Sequence, residues 1–169
     1  MTDTTKPKYD IPQKEYEEMI RKMPFPSVDA VINYDGGILL GRRTRSPAKG
    51  LYWTTGGRLL FGETPEEAAV RIAKDETGLD TRVRRFINAY SEFFEHGYFG
   101  PPSHAIALSY LMETYGGTLT KDFQHSDFVV VRNLDTEIEL SEYCRQVIID
   151  SGILGDHPDK GKRTNFRFK

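Results

Sequence analysis

The stretch Gly57-Arg58-Leu59-Leu60-Phe61-Gly62-Glu63, followed by Arg71 and then by Asp75-Glu76-Thr77-Gly78-Leu79, constrains this chain more than any other. It reads as a glycine loop, an acidic residue and a helix that carries an acidic pair near its end. The helix boundaries are well signalled. Thr64 suits the N-cap, Pro65 the first turn and Glu67 the far corner of a capping box, while Gly78 is placed to stop the helix. Stepping by about 100° per residue puts Ala69, Ile72, Ala73 and Glu76 on one face. A carboxylate at the end of an apolar face needs a cation, a hydrogen-bond donor or a raised pKa. Magnesium fits such a place, because it takes oxygen ligands and favours sites that also hold substrate phosphates. A glutamate at a helix edge ordinarily just reaches solvent; the glycine loop in front makes the ligand reading the stronger one.

The same residues carry a family pattern. Gly57, Glu63, Arg71, Glu76, Gly78 and Leu79 keep the spacing Gly, five residues, Glu, seven residues, Arg-Glu, apolar, any, Glu-Glu, any, Gly, apolar, and so the segment resembles the signature of the Nudix hydrolases. Two positions depart from it. Ile72 stands where the family has Glu, and Asp75 replaces the first Glu of the pair.

Bulk properties narrow the remaining classes. A chain of 169 residues predicts one domain, and 38% hydrophobic residues suffice for a sizeable core. The formal net charge of −2 gives no global pull towards nucleic acid, and none is expected as a partner. No apolar run approaches a membrane span, and Met1 to Lys6 lacks the apolar stretch of a secretory signal. The single cysteine, Cys144, excludes an internal disulfide and sits among Tyr143, Val147 and Ile148, as a buried structural thiol would. A cytoplasmic protein without membrane contact is the expectation.

Residues 1–12 read as a flexible lead-in, residues 13–152 as one domain that opens with a short helix, and residues 153–169 as a basic tail. The helix, Lys14 to Lys22, shows Tyr16, Met19 and Ile20 as its apolar stripe and ends before Pro24. Val28 to Tyr34 and Ile38 to Arg43 predict a hairpin around Asp35-Gly36-Gly37. Tyr52-Trp53, Thr81 to Phe94, Ala105 to Thr114 and Asp127 to Val131 predict further strands, and Ser141 to Asp150 a capped helix. Strands interspersed with few helices predict an α/β class with a mixed sheet between helices. The Nudix resemblance implies the same, an α/β/α sandwich with a mixed β-sheet. The tail, with Lys160, Lys162, Arg163, Arg167 and Lys169 broken by Phe166 and Phe168, reads as a solvated arm packed on its own domain or on a neighbour.

Loss of a carboxylate at Ile72 bears on the chemistry. Positions 72 and 76 stack one turn apart, so the site should hold fewer ions than a standard Nudix helix. Either the domain is inactive, or its reaction needs fewer metals. Asp122-Phe123-Gln124-His125-Ser126-Asp127, ahead of a terminal strand, favours the second: Gln124 offers a neutral oxygen and His125 an imidazole suited to general-base work. Gln124-His125 with Ile72 and Glu76, Leu39 to Thr44, the loop Arg45 to Gly50, Tyr52-Trp53 and Gly56-Gly57-Arg58 are similar to the GDP-mannose mannosyl hydrolases within the Nudix superfamily. That resemblance implies that the Gly56 carbonyl, Glu76 and Gln124 hold one magnesium ion, with manganese as an alternative, that Arg43 and Arg58 pair with the diphosphate, and that His125 is the base. Asp29 matches a substrate-contacting position. Ala105 stands where the subfamily has Tyr near the diphosphate, which makes the preceding His104 the substrate-side candidate. Glu63, Arg71 and Asp75 take secondary metal or structural roles. The resemblance also implies a homodimer and a nucleoside diphosphate sugar as substrate. A pyrophosphatase acting on ADP-ribose or a nucleoside triphosphate, and a non-catalytic nucleotide-sugar binder, remain the competing readings.

Overall fold

The computed structural model describes residues 11–120 and 125–169, without the side chains of His125 and Ser126. Residues 1–10 of the expected lead-in and the expected ligand Gln124 lie outside the described residues. After helix α1 (Gln13–Lys22), strands β1 (Phe25–Tyr34) and β2 (Gly37–Arg43) form a hairpin. Asp35 and Gly36, at φ 47° and 75°, make its turn, and two successive left-handed residues give the twist that matches the flanking strands. Next come β3 (Tyr52–Trp53), β4 (Thr55–Arg58), α2 (Pro65–Thr77), the long pair β5 (Leu79–Phe94) and β6 (Ser103–Gly117), then β7 (His125–Val131), α3 (Glu142–Ser151) and β8 (Asn165–Phe168).

These strands make one mixed sheet in the order β3-β2-β1-β6-β5-β8, with β4 on β1 and β7 on β2. The β1–β6 pair is parallel, as is β5–β8, and the others are antiparallel. Alternation along β1 sends Ala30 and Ile32 to a cluster with Ala69, Ile72 and Ala73 of α2, and Val31 to a cluster with Tyr143, Val147 and Ile148 of α3. The chain is thus an α/β/α sandwich of the expected class. Helix α1 closes a smaller cluster with Ile20, Phe25 and Ala105, while Met19 of its expected stripe is largely exposed.

Helix α2 follows its sequence signals. Thr64 Oγ1 accepts from the Glu67 N–H at 3.2 Å, the Glu67 carboxylate accepts from the Thr64 N–H at 2.9 Å, and Gly78 ends the helix at φ 75°. Ala68, Ala69, Ile72, Ala73 and Glu76 are its buried face. On the other side, Cys144 of α3 is fully buried and burial pushes its thiol up to about 12, as suits a structural residue.

Two expectations need correction. Gly56 and Gly57 are strand residues of β4, paired with Asp29 and Val28, and the loop proper begins after Arg58. Backbone pairing wins here because the side of Gly56 is taken by the Asp29 carboxylate, which a Cβ would strike. The supposed basic tail also supplies β8 to the sheet: Phe166 is buried against Tyr90 and Tyr143, and Phe168 stacks on Phe94 at 4.9 Å. Alternation of these aromatics with Arg167 is a strand pattern that the clustered charges obscured.

Candidate active site

Glu76 emerges from the buried face of α2 with only 5% of its surface exposed. Its Oε2 accepts from the Gly56 N–H at 3.3 Å, which ties the end of the helix to β4. One turn earlier Ile72 lies under the same strand, with its side chain 3.3 Å from the point where a Cβ on Gly57 would stand. The position that lacks the family carboxylate is therefore filled by packed hydrocarbon. Asp75 points away, its side chain 67% exposed, at 4.0 Å from Arg71.

Glu63 and Arg71 hold the loop. The Arg71 guanidinium donates from Nη2 to Glu63 Oε1 at 2.6 Å and from Nε to Oε2 at 3.0 Å, the forked geometry that makes such pairs strong. Arg71 also donates to the Arg58 carbonyl at 3.1 Å, and Glu63 Oε1 accepts from the Leu60 N–H at 2.8 Å. The pair thus staples Leu59 to Thr64 between β4 and α2.

Gly56, the partner of Glu76, also lines a narrow cavity with Asp29, Arg43, Gly57, Glu92 and Tyr98 among others. Asp29 Oδ2 accepts from Thr54 at 2.7 Å and from the Tyr143 hydroxyl. Arg43 donates from Nε to the Pro47 carbonyl at 2.7 Å, which anchors the 44–50 loop while its charge faces both carboxyls. Glu92 is 4% exposed and its Oε1 has no hydrogen-bond partner. Burial pushes the Glu92 carboxyl well above the usual carboxylate range; the charge of Asp29 adds to the rise and Arg43 opposes it. Asp29 is raised by burial too, against the lowering hydrogen bonds from Tyr143 and Thr54. Sequence reasoning missed Glu92, although a signal existed: it sits between Tyr90 and Phe94, on the buried face of an alternating strand.

Other expected residues are dispersed. Arg58 lies 4.4 Å over the ring of Tyr16, on α1. Arg42, the neighbour of Arg43, turns outward onto Tyr52 at 5.2 Å. His104 faces away from the Asp29 cavity: it stacks on Phe93 at 4.1 Å and lines a separate cavity beside Arg167 and α1. Burial, then the Arg167 charge, hold its imidazole below its usual pKa. The backbone of His125 opens β7 and pairs with Arg43, which sets that strand start beside the cavity-lining arginine.

No three Asp, Glu, His or Cys side chains gather as a metal site among the described residues. The buried Glu76 carboxylate is an oxygen ligand of the kind a hard divalent ion takes, and the neighbouring Gly56 meets it through its N–H.

Comparison with known proteins agrees with this architecture. The chain is 32% identical over 127 residues to the low-salt glycan biosynthesis protein Agl8 of Haloferax volcanii, covering 74% of this chain and 81% of that one. It is 34% identical over 129 residues to the ADP-ribose pyrophosphatase of Methanocaldococcus jannaschii, covering 72% and 74%. Its fold is similar to the crystal structure of an ADP-ribose pyrophosphatase from Streptococcus suis, with a TM-score of 0.56 at 17% identity, over 87% of this chain and 100% of that one. The NUDIX domain model matches residues 23–143, a span that holds β1 to the start of α3 with Glu63, Arg71 and Glu76 in place, and the chain belongs to the Nudix hydrolase family.

Proposed function

We propose that this Nudix hydrolase acts on a nucleoside diphosphate sugar, GDP-mannose foremost, directing water to the anomeric carbon with inversion and releasing GDP and free sugar. The observation that carries this is the packing of Ile72. With hydrocarbon in that place, Asp75 exposed and Glu63 held by Arg71, Glu76 is the one buried carboxylate that α2 offers among the described residues. One ligand of that kind suits a single ion better than the several that attack at phosphorus calls on. When bound, magnesium supplies charge neutralisation to the departing diphosphate. Arg43 and Arg58 provide two further cations, and arginine suits phosphate oxygens by its planar fork. His125 takes the proton from water; a diphosphate so neutralised leaves without an acid, and water entering opposite it inverts the centre. The Agl8 relative, a glycan biosynthesis protein, is in keeping with sugar-nucleotide chemistry.

A second reading is a pyrophosphatase on ADP-ribose, favoured by the 34% identical archaeal relative. Both substrates join a nucleoside diphosphate to a sugar and differ in the bond cut. Hydrolysis of each in 18O-labelled water decides between them. Label in the released sugar, with the anomeric configuration inverted and the nucleoside diphosphate unlabelled, is expected; label on phosphate moves the reaction to phosphorus.

A further inference from the structure

The Asp29–Glu92 cavity holds a polar atom with nothing to bond. Glu92 Oε1 is buried and unpartnered, in a side chain only 4% exposed, whereas Asp29 Oδ2 is taken up by Thr54 and Tyr143. The space beside them is ≈ 20 Å³, enough for one water-sized group. It is bounded by Arg43, by the backbone of Gly56 and Gly57, and by Trp53, Phe94 and Tyr98. Gly56 helps to keep it open, since a Cβ there would run into the Asp29 carboxylate.

We infer that this cavity is a hydroxyl subsite: one sugar hydroxyl of the substrate enters it and hydrogen-bonds Glu92 Oε1, so that Glu92 selects among sugars. The inference rests on the reading of the protein as a hydrolase of nucleoside diphosphate sugars. Size and charge exclude the other candidates. A phosphate group is too large for the space and would face two carboxyls. A methyl or hydrogen would leave Oε1 as unpaired as it is now, which is costly in a buried place. A hydroxyl both donates and accepts, and so it can answer Glu92 Oε1. Burial shifts Glu92 towards its neutral form, a further match to a neutral partner. Position agrees as well. Gly56 lines the cavity and donates its N–H to Glu76, so one residue borders both the hydroxyl subsite and that carboxylate.

The test compares the full-length protein with its Glu92→Ala and Glu92→Gln variants on a nucleotide sugar and its singly deoxygenated analogues. Both kcat/KM and calorimetric Kd are measured. Wild type should disfavour one deoxy analogue by on the order of 10²-fold or more, because a site built to bond a hydroxyl leaves its own polar groups unpaired when that hydroxyl is missing. In Glu92→Ala that preference should fall to within about fivefold, mostly by weaker binding of the parent sugar. Glu92→Gln keeps the volume and should change the preference at least about tenfold, which carries the test if the alanine variant fails to fold. An unchanged preference at every ring position, within about twofold in either folded variant, overturns the inference and leaves the cavity to a structural water. The absence of any hydroxyl preference in wild type overturns it too. The position of 18O in the products reports separately on the reaction: label on phosphate with a Glu92-dependent hydroxyl preference sinks the anomeric-carbon reading and leaves the subsite standing.

Discussion

Glu63 gives both carboxylate oxygens to Arg71 and one of them also to the Leu60 N–H, whereas Glu76 lies buried beside the Gly56 backbone. Substituting each should therefore break different things. Glu76→Gln should lower kcat/KM by more than about 10²-fold and weaken metal dependence, with little change in Tm, because it removes a charged oxygen from the place proposed for the cation. Glu63→Gln should lower Tm and leave a larger share of activity, since it loosens the loop before α2. Metal titration and thermal unfolding of the two variants separate the effects; equal, small losses of activity would remove the metal assignment from Glu76. His125→Ala should cut turnover by about 10²–10⁴-fold with binding little altered, and remove the rise of the rate with pH to a plateau that the base would give. Glu92 gives a stability signature. Its folded carboxyl holds a proton above the ordinary 4.5 of a glutamate, so between that value and its raised one the folded state binds more protons than the unfolded. Stability should thus fall as pH climbs through that window. Glu92→Gln should flatten the fall, leaving the smaller share due to Asp29, in a series of melting curves against pH.

Among the elements, β8 shows how a strand can hide in a charged sequence. Phe166 is 1% exposed and touches Tyr90 and Tyr143, and Arg163 lies 4.7 Å over its ring. Phe166→Ala should cost about 3–5 kcal/mol, read by denaturant unfolding, because it opens a cavity under α3 that rigid rings cannot fill. A loss below about 1 kcal/mol would mean that β8 contributes little to the fold. Helices α2 and α3 were legible because capping is local: Thr64, Glu67 and Gly78, or Ser141 alone, act within a turn of themselves. The status of Gly56-Gly57 was not legible, since it depends on what β1 presents across the pair. Asp29, distant in sequence, decides that two glycines make a strand.

For the whole molecule, the same distinction between local and distant separates what the sequence reveals of the site. Gly57 to Gly78 announces itself because loop, acid and helix are contiguous. The Asp29–Glu92 pair does not, for those residues meet only after β1 has taken β6 and β6 has taken β5. His104 misled for a related reason: strand alternation turns it from the face that its neighbour Ala105 occupies. Sheet order also has a consequence for how copies of this chain meet. Strand β8 covers Ser91 to Phe94 of β5, and among the described residues no strand pairs with the earlier part of β5 on that side. Such a margin is a template on which foreign strands can zip. Here its register against β6 shifts at Asp80/Thr81, Val83/Arg85 and Phe86/Asn88, and Arg82, Arg84 and Arg85 stand exposed along it. Arg85 further reaches across to the Asp150 and Ser151 carbonyls at the end of α3, at 3.1 and 2.6 Å. Kinked backbone and the arginines along it, Arg82 paired with Glu113 and Arg85 held by the end of α3, deny an incoming strand the straight ladder it would need. The longest strand of the sheet is thereby guarded against endless edge-to-edge growth.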